Sequence, residues 1–165
     1  MTSKHLGFFS PTKGALSIEG VVGEIISYLG EDQKRNYKIV IGTDSQAQTG
    51  LVDFVTAVVV QRIGAGGRYF WQKNTEEKIV TLRQRIYEEV NLSLLMAQNL
   101  MDHFKNYFTE QPLLSRGLEI HVDIGENGET KEMIKEVVGI VKGNGFDVKT
   151  KPEAYGASKV ADKHT

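Results

Sequence analysis

Cysteine is missing from the 165-residue chain, which excludes disulfides and thiolate metal sites. A reducing cytoplasm is the expected compartment. Long apolar runs are missing too: no stretch approaches the roughly 20 apolar residues that a membrane span requires. The N-terminal MTSKHLGFF has too short an apolar run for the core of a secretory signal, so no membrane association is expected. Net charge is scarce, with 20 Lys and Arg against 21 Asp and Glu. That balance argues against a protein that coats nucleic acid through bulk electrostatics, while leaving room for a local patch that grips a few phosphates. Internal repeats, low-complexity tracts and linkers are absent as well. A single domain over residues 17–165 is expected, preceded by an N-terminal arm over 1–16 that lacks periodicity and carries Pro11 and Gly14.

What is present reads as an α/β chain. Ser17 is a good N-cap, and Ile18, Val21, Val22, Ile25, Ile26 and Leu29 recur at helical spacing up to Gly30. Tyr37 to Gly42 (YKIVIG) is a short apolar run typical of a strand covered on both faces. Asp53 to Ile63 repeats that character, and Arg68 to Gln72 supplies a third, aromatic strand; the connections SQAQTG and IGAGG complete an antiparallel meander. From Thr75 to about Phe108 neither Pro nor Gly occurs, and Ile79, Leu82, Ile86, Val90 and Met96 to Leu100 keep helical spacing, so one long helix is expected. Leu118 to Ile124 is a fourth strand. Thr130 caps a helix with Met133, Ile134, Val137, Val138 and Val141 on its buried face, Phe146 to Thr150 is a fifth strand, and ASKVADKH a last short helix. The expected fold is a mixed sheet of five strands, a meander plus parallel strands, with helices on both faces.

Three acids stand out. Asp44 directly follows the apolar strand, and Asp123 closes LEIHVD; each is then held rigidly at the mouth of the sheet. For either one alone, local turn capping explains the residue as well. Two on sequence-distant strands are more telling. In the long helix Leu82, Ile86, Glu89, Ser93, Met96 and Leu100 share a stripe, so Glu89 faces the sheet, where an acid must be paired or metal-bound. Glu88 lies nearer the flank and reads as solvated, and Ser93 leaves room beside Glu89. By spacing alone, Asp162 is an exposed charge near a frayed terminus. Carboxylate oxygens are the ligands that Mg²⁺ and Mn²⁺ prefer. Crowded carboxylates repel unless cations neutralise them. Two ions about 4 Å apart activate a water and stabilise the leaving oxygen of a phosphodiester.

Lys149, Lys151, Lys159 and Lys163 cluster near these acids and suit phosphate contacts that position a strand without reading it. Solvated lysines balancing Asp147 and Glu153 are the plainer alternative, and Arg83 with Arg85 forms a similar patch. Tyr69, Phe70 and Trp71 suit base stacking or simply the core, and His121 reads as a structural, hydrogen-bonded imidazole. Gly64, Gly66 and Gly67 read as hairpin geometry, since no helix follows them as in a phosphate loop.

With SPTKGAL, IGTDSQ, LRQRIYEE followed by LSL, IHVDIG and the specific GFDVKTKPEAYGASKVADKHT, the chain resembles the YkuK-type family of bacterial RNase H-like proteins along almost its whole length. The resemblance implies an RNase H-like sheet preceded by an extra N-terminal helix. It also implies a metal site of Asp44, Glu89, Asp123 and Asp162, the last promoted by the resemblance alone, with His164 assisting product release or water positioning. The superfamily implies a divalent-metal-dependent nuclease using Mg²⁺ or Mn²⁺ on RNA, an RNA–DNA hybrid or branched DNA. Two departures, the N-terminal helix and the longer loop IGENGE, each bear on the substrate groove. A binding or scaffolding protein without turnover is the second expectation. An ATP-binding module of actin-like type, with IGTDSQAQTG as phosphate loop, is the third, although one short domain lacks the second half of such a cleft.

Overall fold

The computed structural model describes residues 7–108, 118–151, 153–154 and 156–165. In chain order the elements are β1 (Phe8–Ser10), β2 (Gly14–Leu16), α1 (Ile18–Glu31), β3 (Tyr37–Gln48), β4 (Leu51–Arg62) and β5 (Gly67–Glu77). They continue with α2 (Leu82–Phe108), β6 (Leu118–His121), α3 (Ile134–Gly143), β7 (Asp147–Lys149) and α4 (Gly156–His164). Among the described residues the strands form one seven-stranded sheet in the order β2-β1-β5-β4-β3-β6-β7. The meander β3-β4-β5 is antiparallel, while β6 runs parallel to β3 and β7 parallel to β6. The sheet is mixed as expected, with two strands more than the five anticipated.

The extra pair lies in the stretch expected to be an irregular arm. Phe8–Ser10 and Gly14–Leu16 form a hairpin, and Phe9 pairs with Trp71 on the outer edge of β5. Three-residue strands are too short to show periodicity; they are held by the ladder and by Phe8, which is buried in the main core.

Strand alternation sorts the side chains onto two faces. Ile39, Ile41, Val58, Val60, Leu118 and Ile120 point to one face, where α1, α2 and α3 bury Val21, Ile25, Val90, Leu100, Phe104, Val137 and Val141. On the opposite face α4 lays Ala161 and Val160 against Val55, Ala57 and Trp71. Helices therefore cover both faces, three on one and one on the other.

Several boundaries differ from the sequence expectation. β3 runs on to Gln48 and meets β4 across the two-residue turn Thr49–Gly50, with Gly50 at φ 76°. Asp44 is thus a mid-strand residue paired with Val55, and SQAQTG is mostly strand, which removes the phosphate-loop reading. The polar residues of this half-strand hid it, since their face is filled by hydrogen bonds instead of apolar contacts. The long helix begins at Leu82, not Thr75, because β5 extends through Glu77 and Lys78 turns the chain with φ 67°. Thr81 and Gln84 then form a reciprocal cap, the Gln84 N–H donating to Thr81 Oγ1 at 3.1 Å and the Thr81 N–H to Gln84 Oε1 at 3.1 Å. β6 ends at His121, so Asp123 stands two residues beyond it, and the fifth strand is trimmed to β7. Helix α1 passes Gly30 and ends at Glu31.

The two expected N-caps separate. Ser17 accepts the Gly20 N–H at 3.1 Å, whereas Thr130 makes no capping bond to the 3₁₀ turn Lys131–Met133 that leads into α3. Ser17→Ala should therefore lower the stability of the protein by about 1 kcal/mol, and Thr130→Ala by less than half of that. Urea unfolding of the two variants checks this; equal losses would contradict the assignment of the caps.

Candidate carboxylate site

The four acids come from separate elements and meet at one end of the sheet. On β3, Lys38, Val40, Gly42 and Asp44 alternate toward the α4 face. The Asp44 carboxyl reaches the Asp162 carboxyl of α4 within hydrogen-bonding distance and also feels the charge of Asp123. Glu89 comes from the opposite face, on α2. It accepts the Ser45 hydroxyl at 2.5 Å and feels both Asp44 and Asp123. Glu88, one residue earlier, lies instead near Glu76 and Asn91. Of the two, Glu89 is the helical acid that reaches the group.

Burial is the main physical consequence for two of these acids. It pushes the Asp44 carboxyl up to about 6, helped by the Asp162 carboxyl beside it and opposed by the Ser45 backbone. It pushes Glu89 up to about 8, opposed by the Ser45 hydroxyl and by the Arg85 guanidinium. Acids raised in this way favour a proton or another cation at the site.

A polar frame holds these side chains. Arg85 donates to Ser45 Oγ at 3.1 Å and to the Ser45 carbonyl at 2.8 Å, so the residue next to Asp44 is clamped from α2. One step along β3, Thr43 bonds Ser93 at 2.8 Å and Thr56 at 3.0 Å, all three buried. Ser93 was expected to leave room for Glu89; it instead ties α2 to the strand. Arg85, expected to form a patch with Arg83, points inward to Ser45, while Arg83 pairs with Glu136 at 3.2 Å. Alternation along β3 placed Thr43 and Ser45 on the α2 face, and that signal was readable once the strand was known to extend.

The lysines divide. Lys151 pairs with Asp123 at 2.8 Å. Lys149 is exposed, opposite His121 in the β6–β7 ladder, and Lys163 is exposed beside His164. The side chain of Lys159 lies outside the described residues. His121 is buried, its Nε2 lying 2.6 Å from Glu119 Oε1, which also takes Lys38 at 2.9 Å; its Nδ1 is buried without a hydrogen-bond partner. His164 stacks on Trp71 with ring centroids 4.4 Å apart, and Trp71 stacks on Phe9 at 4.9 Å. Of the three aromatics in β5, Phe70 is core, and Tyr69 and Trp71 lie on the α4 face around His164.

The donor set suits a hard divalent ion in kind, being all carboxylate oxygen and short of protein cations to balance it. Its arrangement is open: among the described residues no three Asp, Glu or His stand in a geometry that could hold an ion together. Asp44 is turned to Asp162, Glu89 to Ser45 and Asp123 to Lys151.

A mixed sheet of antiparallel and parallel strands with helices on both faces is consistent with the fold of the Ribonuclease H-like family. That family's model matches residues 20–165, and the chain belongs to it. Within it the chain is similar to the uncharacterized protein YkuK of Bacillus subtilis (strain 168), being 28% identical over an alignment 165 positions long that spans 96% of each chain. No solved structure matches.

The raised carboxyls make stability depend on pH in a definite direction. A native state that holds a proton more tightly than the unfolded chain loses stability as pH rises through the interval between the two values. Buried His121 and half-buried His164 are shifted down, so their opposite effect ends near pH 6.5, and Asp44, raised to about 6, is mostly titrated by about pH 7. From about pH 7 to 8, Glu89 dominates. In the presence of chelator Tm should fall by a few degrees across that window, and Glu89→Gln should flatten the fall. A Tm that is constant or rising in the wild type would refute the placement of Glu89.

Proposed function

We propose that this chain is a divalent-metal-dependent phosphodiester hydrolase acting on nucleic acid. The observation that carries the reading is the field around Asp44: Asp162 of α4 and Asp123 after β6 act on Asp44, and Asp44 and Asp123 act on Glu89 of α2. Evolution of a stable fold gives no reason to gather four acids at one end of a sheet, where neighbouring charge adds to the proton affinity of Asp44 and Glu89. Catalysis of phosphoryl transfer does.

In this reading Asp44, Glu89, Asp123 and Asp162 would hold Mg²⁺ or Mn²⁺. A bound ion supplies a water of lowered pKa and a Lewis acid for the leaving oxygen. The chain's own residues do the rest. Asp44 is fixed mid-strand by the β3–β4 ladder and by the Arg85 clamp on Ser45. Glu89 holds a proton at neutral pH until a cation displaces it. Exposed Lys149 and Lys163 offer phosphate contacts on the face that carries Asp44 and Asp162, in keeping with a substrate such as RNA, an RNA–DNA hybrid or branched DNA. Neither lysine reads sequence. A cytoplasmic setting suits the lack of cysteine, and among the described residues no helix is long and apolar enough to cross a membrane.

One observation favours a second reading, a nucleic-acid-binding protein without turnover: no three acids are preset around a common point. The two readings separate in one assay. With labelled single-stranded RNA, hybrid and junction substrates, Mn²⁺ or Mg²⁺ should support cleavage, and Asp44→Asn or Asp123→Asn should reduce it at least about 100-fold, as for removal of an electrostatic catalytic group. Mn²⁺ at about 100 times its Kd should add about 2.7 kcal/mol to wild-type stability, and Asp44→Asn should lose that gain. Binding of the same nucleic acids without metal-dependent cleavage would establish the second reading; cleavage undiminished in Asp44→Asn would assign the activity elsewhere.

A further inference from the structure

Lys151 occupies a place that the backbone builds for it. The β6–β7 ladder pairs His121 with Lys149 and continues past the last paired residues through Val122 N–H to Lys149 O at 2.9 Å and Lys151 N–H to Ile124 O at 2.8 Å. There the register shifts: the Ile124 N–H turns back to Val122 O at 2.9 Å, and the Lys151 bond to Ile124 sets Lys151 beside Gly125, with Asp123 at the bend. From there its side chain reaches back to the bend, and the Lys151 ammonium lies 2.8 Å from Asp123 Oδ1. The charge also acts on Asp44, so it is felt by two of the four acids. Gly125 leaves the space for it: a Cβ there would come 3.0 Å from Lys151 Cβ.

This ion pair does little for stability. The Lys151 side chain is 57% exposed and that of Asp123 36%, and pairs so exposed contribute little. Its consequence is chemical. An ammonium beside Asp123 neutralises the acid that a second ion would need, and repels that ion from the Asp123 side. Asp44 and Asp162, within reach of each other, remain to take an ion on the α4 side.

We propose that Lys151 is a resident cation of the carboxylate site, so that the site takes one divalent ion, on the Asp44–Asp162 side, and Lys151 stands in for the second. The inference rests on the hydrolase reading above and specifies its metal content. In a one-ion site of this kind the lysine also faces the phosphate of the substrate, with three N–H donors and a fixed charge.

The test counts ions and needs no substrate. Mn²⁺ is titrated into wild type, Lys151→Met and Lys151→Arg, with stoichiometry and Kd read by calorimetry and by the electron paramagnetic resonance of free Mn²⁺. Wild type and Lys151→Arg should bind one ion per chain. Lys151→Met, which keeps the stem but not the charge, should bind a second ion, or bind its one ion about tenfold more tightly, as expected for loss of a unit charge a few ångströms away in a partly screened site. In chelator its Tm should match that of the wild type. Two ions in the wild type, or unchanged stoichiometry and Kd in Lys151→Met, would overturn the role of Lys151 and leave the hydrolase reading intact. Absence of Mn²⁺ binding in all three proteins would overturn the hydrolase reading itself.

Discussion

The alternation of side chains along β3 is the constraint on which everything else depends. Because successive residues face opposite ways, Ile39, Ile41, Thr43 and Ser45 belong to the face of α1, α2 and α3, and Val40, Gly42 and Asp44 to that of α4. A one-residue slip would bury Asp44 among the helices and expose the isoleucines. The slip is blocked by twelve paired residues against β4, by the apolar face, and by the Thr43–Thr56 and Thr43–Ser93 hydrogen bonds. These buried hydroxyls satisfy one another across three elements, so they fix register at a point where a larger apolar side chain would leave the strand freer to shift. The acid one residue on inherits that precision.

With Asp44 fixed, the electrostatics of the site follow from what is left near it. Four carboxylates have three kinds of cation available: protons, protein side chains and metal ions. Burial raises Asp44 and Glu89, so protons go to these two members. Lys151 serves Asp123, and Arg85 offsets Glu89 from a distance while bonded to Ser45. The three compete for the same oxygens. A metal ion bound there would have to displace a proton from Glu89 or Asp44, so its affinity would rise with pH.

Much of this was legible in the sequence, and the failures have causes. Asp44, Asp123 and Glu89 were legible because each interrupts an apolar pattern where solvent could not explain it, and the heptad-like stripe from Leu82 to Leu100 separated Glu89 from Glu88. Asp162 was not legible from spacing: α4 is nine residues long with a small buried face, Ala157 and Ala161, and small residues make weak periodic signals. The β1–β2 hairpin and the second half of β3 were missed for a related reason. Their residues are polar or few, and they are strand because a neighbour's ladder is there, not because their own composition demands it. The start of α2 was misplaced although Thr81 and Gln84 carried a capping-box spacing; the lack of Pro and Gly over a long stretch says where a helix is permitted, not where it begins.

The weakest element therefore carries one of the acids, and its attachment decides whether the site is complete. α4 is docked by Ala161, without exposed surface, against Val55 and Ala57, and by His164 lying flat on Trp71. Trp71 is in turn covered on its other side by Phe9 of the N-terminal hairpin, through the one β1–β5 pairing. The chain thus closes on itself, its first strand and last helix meeting on opposite sides of a single indole. Loosening the hairpin would remove one wall of that stack and with it part of what holds His164. Asp162 is two residues before His164 on the same short helix and exposed to water, so its carboxyl is placed by that helix and by its contact with Asp44. The geometry of the Asp44–Asp162 pair consequently depends on residues at the far end of the sequence that carry no charge at all.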